Sequence, residues 1–127
     1  MKQRIFNIDS NTSFTEVALT VFKHQFEHNS VYRSFCDLLY IHPSDVKDIE
    51  TIPFLPIQFF KTHHVISSDN AVQKVFTSSG TTGSVTSKHA VTDLTWYEHS
   101  YTQGFENFYG HIENYTVLAL LPNYLER

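Results

Sequence analysis

At 127 residues, with nine Lys plus Arg against thirteen Asp plus Glu, the chain has the size of one domain and lacks the basic stripe that would hold a nucleic acid. A single cysteine, Cys36, excludes an internal disulfide and any multi-cysteine zinc site, and fits a reducing, cytoplasmic location. No apolar run reaches the length of a membrane span, and Met1-Lys2-Gln3-Arg4 leads into no signal-peptide core.

Ser13-Phe14-Thr15-Glu16 has the form of a capping box, with Ser13 as N-cap and Glu16 reaching back. Behind it Phe14, Val17, Ala18, Val21 and Phe22 recur at helical spacing, which predicts a helix to about His28. A second helix is expected after Asn29-Ser30, packing through Val31, Phe35, Leu38 and Leu39. It should stop before His42-Pro43, because the residue ahead of a proline avoids the α region. Pro53 and Pro56 forbid a continuous helix from Ile49 to Lys61, although Pro56 suits the first turn of a short one. His64 to Ser67, Val72 to Phe76 and His89 to Val91 read as short strands. Thr92-Asp93 then caps a helix whose Leu94, Tyr97, Tyr101, Phe105 and Phe108 form one apolar stripe ending at Tyr109-Gly110. Helical spacing explains that stripe better as a core face than as an acyl pocket.

Val117 to Leu121 is a continuous apolar run stopped by Pro122, the pattern of a parallel strand covered on both faces. Following a strand and a helix, it implies a right-handed crossover. The expected fold class is α/β, in a single domain of residues 1–127. N-terminal helices (1–48) precede a mixed or parallel sheet with a crossover helix (49–127), as part of a larger enzyme domain. A buried parallel strand so near Arg127 would leave an edge needing cover, which is the reason to expect the N-terminal part of a longer chain.

The strand ending at Phe76 leads into Thr77-Ser78-Ser79-Gly80-Thr81-Thr82-Gly83-Ser84. Glycines reach φ > 0 without steric cost, so successive backbone N–H groups can converge on one point and bind phosphate oxygens. The surrounding hydroxyls add rotatable donors and can ligate Mg²⁺, Thr82 being the candidate. The loop is not a Walker A sequence, since Val85 stands where its second glycine belongs, and G-x-G-x-x-G is absent as well. An ordinary surface turn has the same composition, so the glycines alone leave both readings open.

Other constellations compete. His24-Gln25-Phe26-Glu27-His28 matches the H-x-x-E-H pattern of inverted zinc peptidases, with the two histidines on one helical face, Glu27 activating water, and Glu98 or Glu106 as third ligand. His63 and His64 are adjacent, so on a strand they point to opposite faces and do not chelate together. Lys61 reads as a surface lysine capping an apolar segment. Cys36, beside a helical core stripe with no cationic cluster near it in sequence, reads as a small buried hydrophobe.

Ser78-Ser79-Gly80-Thr81-Thr82-Gly83 resembles the phosphate loop of adenylate-forming enzymes, the acyl- and aryl-CoA synthetase superfamily. Further residues narrow this: Leu55-Pro56-Ile57-Gln58-Phe59-Phe60-Lys61 before the loop, then Ser87-Lys88-His89, Tyr97, Phe105, Tyr109-Gly110 and Leu120-Leu121-Pro122-Asn123-Tyr124-Leu125-Glu126-Arg127. In that order they are similar to the LuxE-type acyl-protein synthetase family, over about Ile49 to Arg127. The resemblance implies an ATP-dependent ligase that activates a carboxylic (fatty) acid as its acyl-adenylate and passes the acyl group to a thiol or acyl-acceptor protein. ATP and Mg²⁺ are the cofactors it implies.

By the same resemblance Ser78, Ser79, Gly80, Thr81, Thr82, Gly83 and Ser84 bind the nucleotide phosphates, and Lys88 and His89 are the catalytic candidates. Val85 and Thr86 depart from the superfamily, which usually follows its loop with a proline and a lysine, and Lys88 is displaced from that lysine position. Family members are longer, and their later segments carry the adenine site and the acyl-accepting cysteine, so this segment alone is expected to be inactive. Two other classes stand beside the ligase: a non-catalytic anion- or nucleotide-binding remnant, and the zinc peptidase.

Overall fold

Helix α2 (Asn11–His28) is the longest element, and it starts one turn earlier than its sequence suggests. The Oγ of Ser10 accepts from the backbone N–H of Ser13 at 3.2 Å, and the Oγ of Ser13 accepts from the N–H of Ser10 at 3.1 Å. Ser13 is therefore the third helical residue rather than the cap. Its hydroxyl plays the part usually given to Glu or Gln, because it also accepts a hydrogen bond. Glu16 instead meets Arg4 of the short helix α1 (Lys2–Phe6) at 3.2 Å, an exposed ion pair of small energetic weight.

The computed structural model describes residues 2–78 and 85–120, and the chain divides into two units, Met1–Thr92 and Asp93–Arg127. In the first unit α2 ends at Asn29, which also opens α3 (Ser30–Leu38). The Asn29 N–H donates to the Gln25 carbonyl at 2.9 Å, and its Oδ1 accepts from the N–H of Tyr32 at 3.1 Å. One buried residue thus satisfies two helix ends and fixes the rotation of α3. That rotation turns Tyr32 and Cys36 inward, whereas Leu38 and Leu39, expected in the packing stripe, are exposed. The core gathers Phe22, Phe26, Tyr32, Cys36 and Val46, with Leu19, Phe35, Ile41, Ile52 and Leu55 packed against it. Phe22 meets Tyr32 edge-on at 6.1 Å between ring centroids.

Helix α3 closes with Tyr40 in the left-handed region at φ 56°, where the Tyr40 N–H donates to Asp37 O and the Ile41 N–H to Cys36 O. This Schellman geometry, more than the approaching proline, stops the helix. The two prolines do break the next segment. A 3₁₀ turn at Ile49–Thr51 and a buried Pro53 come first, and a turn from Pro56 leads into α4 (Phe59–Thr62).

Strands β1 (Lys74–Thr77) and β2 (Lys88–Val91) pair antiparallel, with Lys74 opposite Val91, Val75 opposite Ala90, Phe76 opposite His89 and Thr77 opposite Lys88. No strand forms at His64–Ser67, where the Ser67 side chain turns instead toward Gln25 and Asn29 of the helical layer. The described residues are mostly helical with this one two-stranded sheet, and no parallel pairing occurs among them. The mixed or parallel α/β sheet is corrected to that extent. Residues 115–120 hold no strand, with Val117, Leu118 and Leu120 exposed, and Leu121 falls outside the described residues. An apolar run specifies a need for burial, whereas a strand also requires a hydrogen-bonding neighbour.

The second unit is α5 (Leu94–Tyr109) with a 3₁₀ turn at Ile112–Asn114. Asp93 caps α5 as expected, its Oδ1 accepting from the Trp96 N–H at 3.0 Å, and Gly110 at φ 80° ends it. Phe105 meets Tyr115 edge-on at 5.5 Å. The aromatic stripe is real but it is not core: α5 buries no residue, and Tyr97, Tyr101 and Phe108 are exposed. No helix among the described residues is long and apolar enough to cross a membrane.

Candidate functional site

The hydroxyl- and glycine-rich stretch is carried between the two strands of the hairpin. Beyond the last ladder pair, the Ser78 N–H donates to the Ser87 carbonyl at 3.1 Å, and the Ser87 N–H donates to the Ser78 Oγ at 3.1 Å. These two bonds join Ser78 to Ser87 in a neck one step beyond the ladder. Of the expected phosphate ligands only Ser78 lies among the described residues, and its oxygen is engaged in that neck. Ser79, Gly80, Thr81, Thr82, Gly83 and Ser84 lie outside them.

Side chains alternate across a strand, so Phe76, Ser78, Ser87 and His89 share one face of the hairpin, and Thr77 and Lys88 the other. Ser87 is buried, and its hydroxyl is 3.2 Å from His89 Nε2. The Phe60 ring of α4 stacks on the His89 imidazole at 4.6 Å with 23° between planes. His89 is therefore half-buried, held from one side by a ring and along its edge by a hydroxyl. Lys88 is exposed on the opposite face. The two catalytic candidates are neighbours in sequence but are not brought together.

Phe59 and Phe60, adjacent in α4, engage different partners. Phe59 meets Phe35 of α3 edge-on at 5.7 Å, and Phe60 meets β2 through His89. Helix α4 thereby rivets the hairpin to the helical layer. Lys61, next in line, is exposed, and His63 stacks on Phe59 at 5.0 Å. Ser87 and Phe60 belong to the resembling segments, but the sequence assigns neither a role of its own. The usable signal was that serines flank the loop on both sides.

An apolar cavity of about 630 Å³ lies in the same unit, under the α2 face of Val17, Ala18 and Val21. Ile52, Leu55 and Phe60 line it as well, with Gln25 and Asn29 as polar neighbours. Those two amides are already engaged: Asn29 Nδ2 donates to Gln25 Oε1 at 3.4 Å and to Ser67 Oγ at 3.3 Å, and the Ser67 hydroxyl donates to Gln25 Oε1.

Of the zinc constellation, the helical pair is in place. His24 and His28 do lie close, 4.4 Å between ring centroids, and Glu27 is 4.0 Å from His28 on an exposed surface. Among the described residues, however, no three His, Cys, Asp or Glu side chains gather where they could hold a metal. Glu106 pairs with His111 at 3.5 Å. Helical spacing supplies two donors automatically, while a third must come from elsewhere in the fold. Cys36 is fully buried, as its sequence context suggested, and burial pushes its thiol pKa up, away from the thiolate a nucleophile needs.

Residues 7–103 match the family described as acyl-protein synthetase, LuxE. The chain is 33% identical over 69 residues to the long-chain-fatty-acid–luciferin-component ligase of Photorhabdus luminescens, covering 54% of this chain and 59% of that protein. It is 35% identical over 63 residues to the protein of the same name from Vibrio harveyi, covering 49% of this chain and 16% of that protein. The match thus spans less than two thirds of either relative. No solved structure matches the chain significantly.

Proposed function

This chain belongs to the acyl-protein synthetase, LuxE family, and from that premise we propose that it forms the phosphate-binding part of a ligase that activates a long-chain carboxylic acid with ATP. In the proposed reaction a carboxylate oxygen attacks the α-phosphorus of ATP. The bond from that phosphorus to the bridging oxygen breaks, and pyrophosphate leaves with the electron pair. A thiolate then attacks the acyl carbonyl, and AMP departs.

Such a centre needs positioning and charge neutralisation more than a covalent helper. Amides near Gly80 and Gly83 would receive the departing phosphates, with the hydroxyls of Ser79, Thr81 and Thr82 orienting them. Thr82 is the group suited to meet the Mg²⁺ that accompanies the nucleotide, and Lys88, whose strand position lies one residue past the neck, adds a mobile positive charge. His89 takes a positioning part in this reading, supported by its contacts with Ser87 of the neck and Phe60 of α4.

The observation that supports this reading is the Ser78–Ser87 neck, which joins the residues on either side of the glycine-containing sequence in a member of this family. The test is ATP–pyrophosphate exchange by the full-length protein with tetradecanoate. Thr82→Val combined with Gly83→Ala is expected to abolish exchange while leaving the far-ultraviolet spectrum and thermal midpoint in place. Undiminished exchange in that variant would refute the loop assignment. Pyrophosphate binding by the wild type, with exchange on no acid tried, would favour the anion-binding remnant.

A further inference from the structure

The cavity under α2 and the loop neck share a wall. Phe60 lines the cavity, its ring lies on His89, and His89 reaches Ser87 of the neck. The volume of about 630 Å³ falls within the ~300–1,000 Å³ usual for small-molecule sites. Its α2 wall is hydrocarbon at Phe14, Val17, Ala18, Val21 and Phe22, where a polar head group would lose water without finding a partner. The Gln25 side-chain oxygen and the Asn29 amide nitrogen are engaged with each other and with Ser67. Phe14 and Phe54 also line it and remain exposed, so its rim is apolar too. A ligand suited to these surroundings is a long hydrocarbon with its single polar end leaving past Phe60.

We propose that this cavity receives the alkyl chain of a long-chain carboxylic acid, tail against Val17, Ala18 and Val21, with the carboxylate emerging past Phe60 on the side of His89 and Ser87. The assignment rests on the acid-activation reading for the identity of the head group. It places the determinant of chain length on α2, apart from the loop that would bind phosphate.

Calorimetric titration of the full-length protein with octanoate, decanoate, dodecanoate and tetradecanoate, without ATP and below micelle-forming concentrations, tests it. Kd should fall about fourfold for each added methylene until the cavity is full. Ala18→Trp should weaken tetradecanoate at least tenfold and octanoate much less, with a thermal midpoint no lower than that of the wild type. Val21→Trp provides the same test if Ala18→Trp does not fold. A Kd independent of chain length, or Trp variants that bind tetradecanoate like the wild type, would overturn the proposal. Length-dependent binding without acid-dependent ATP–pyrophosphate exchange would support the cavity and remove the activation reading. Exchange on tetradecanoate undiminished in a folded Trp variant would do the reverse.

Discussion

Tyr32 ties three segments of the first unit together. Its ring packs edge-on against Phe22, and its hydroxyl donates to the Pro53 carbonyl at 2.6 Å, tying α3 to the segment between the 3₁₀ turn and α4. Burial, reinforced by the adjacent Cys36, raises the phenol pKa well above its ordinary 10.0, and burial likewise raises Cys36 above 9.0. Both groups are held protonated in the fold but ionise in the unfolded chain near those ordinary values. Their stabilisation is therefore complete below about pH 9 and is lost as pH climbs through 10 and beyond. Tyr32→Phe should cost about 1–2 kcal/mol at pH 7, because the Pro53 carbonyl loses its donor. The same variant should lose less further stability between pH 7 and pH 10.5 than the wild type, as read from urea midpoints. An equal loss in both proteins would show that Tyr32 is not the titrating group.

At the scale of elements, the caps and turns decide how far the sequence could be read. The end of α2 and the Asp93 cap of α5 were legible, since Asn and Asp satisfy free helical N–H groups in any context. The start of α2 was misread because serine at both Ser10 and Ser13 makes two registers plausible, and only the reciprocal bonds choose between them. The end of α3 hid behind a residue that rarely adopts φ > 0. Tyr40 sits at φ 56° with its side chain almost wholly in solvent. A left-handed residue with a Cβ carries a penalty of about 1–2 kcal/mol, part of which glycine returns as unfolded-state entropy. Tyr40→Gly should thus raise the unfolding free energy by about 0.5–1 kcal/mol. A lower urea midpoint would mean that the exposed ring makes a contact the helix end depends on.

For the whole molecule, periodicity identified apolar faces correctly but not what lies against them. The α5 stripe follows helical spacing, yet no residue of α5 is fully buried, and the run from Val117 predicts a strand that the described residues do not form. The hairpin, by contrast, is visible in the sequence as two strands flanking a hydroxyl-rich stretch; its antiparallel pairing and register rest on bonds between residues well apart in the chain. The candidate site divides the same way. The loop could be named from its glycines, whereas the neck, the Phe60 contact and the cavity depend on residues far apart in the chain. Since Leu118 is 92% exposed, Leu118→Asp should change the thermal unfolding free energy by less than about 0.5 kcal/mol while reducing binding of an apolar dye. A large destabilisation would show that residues 115–120 pack against something after all.

The near-parallel seating of His89 on Phe60 has one more consequence. An imidazole held 4.6 Å from a benzene ring lies in that ring's magnetic shielding, so its carbon-bound proton resonances are displaced from those of a histidine in free solution. The displacement depends steeply on the tilt between the rings. Anything that nudges Phe60 from its other side is thus announced at His89 as a change in frequency, without any label being attached to the protein.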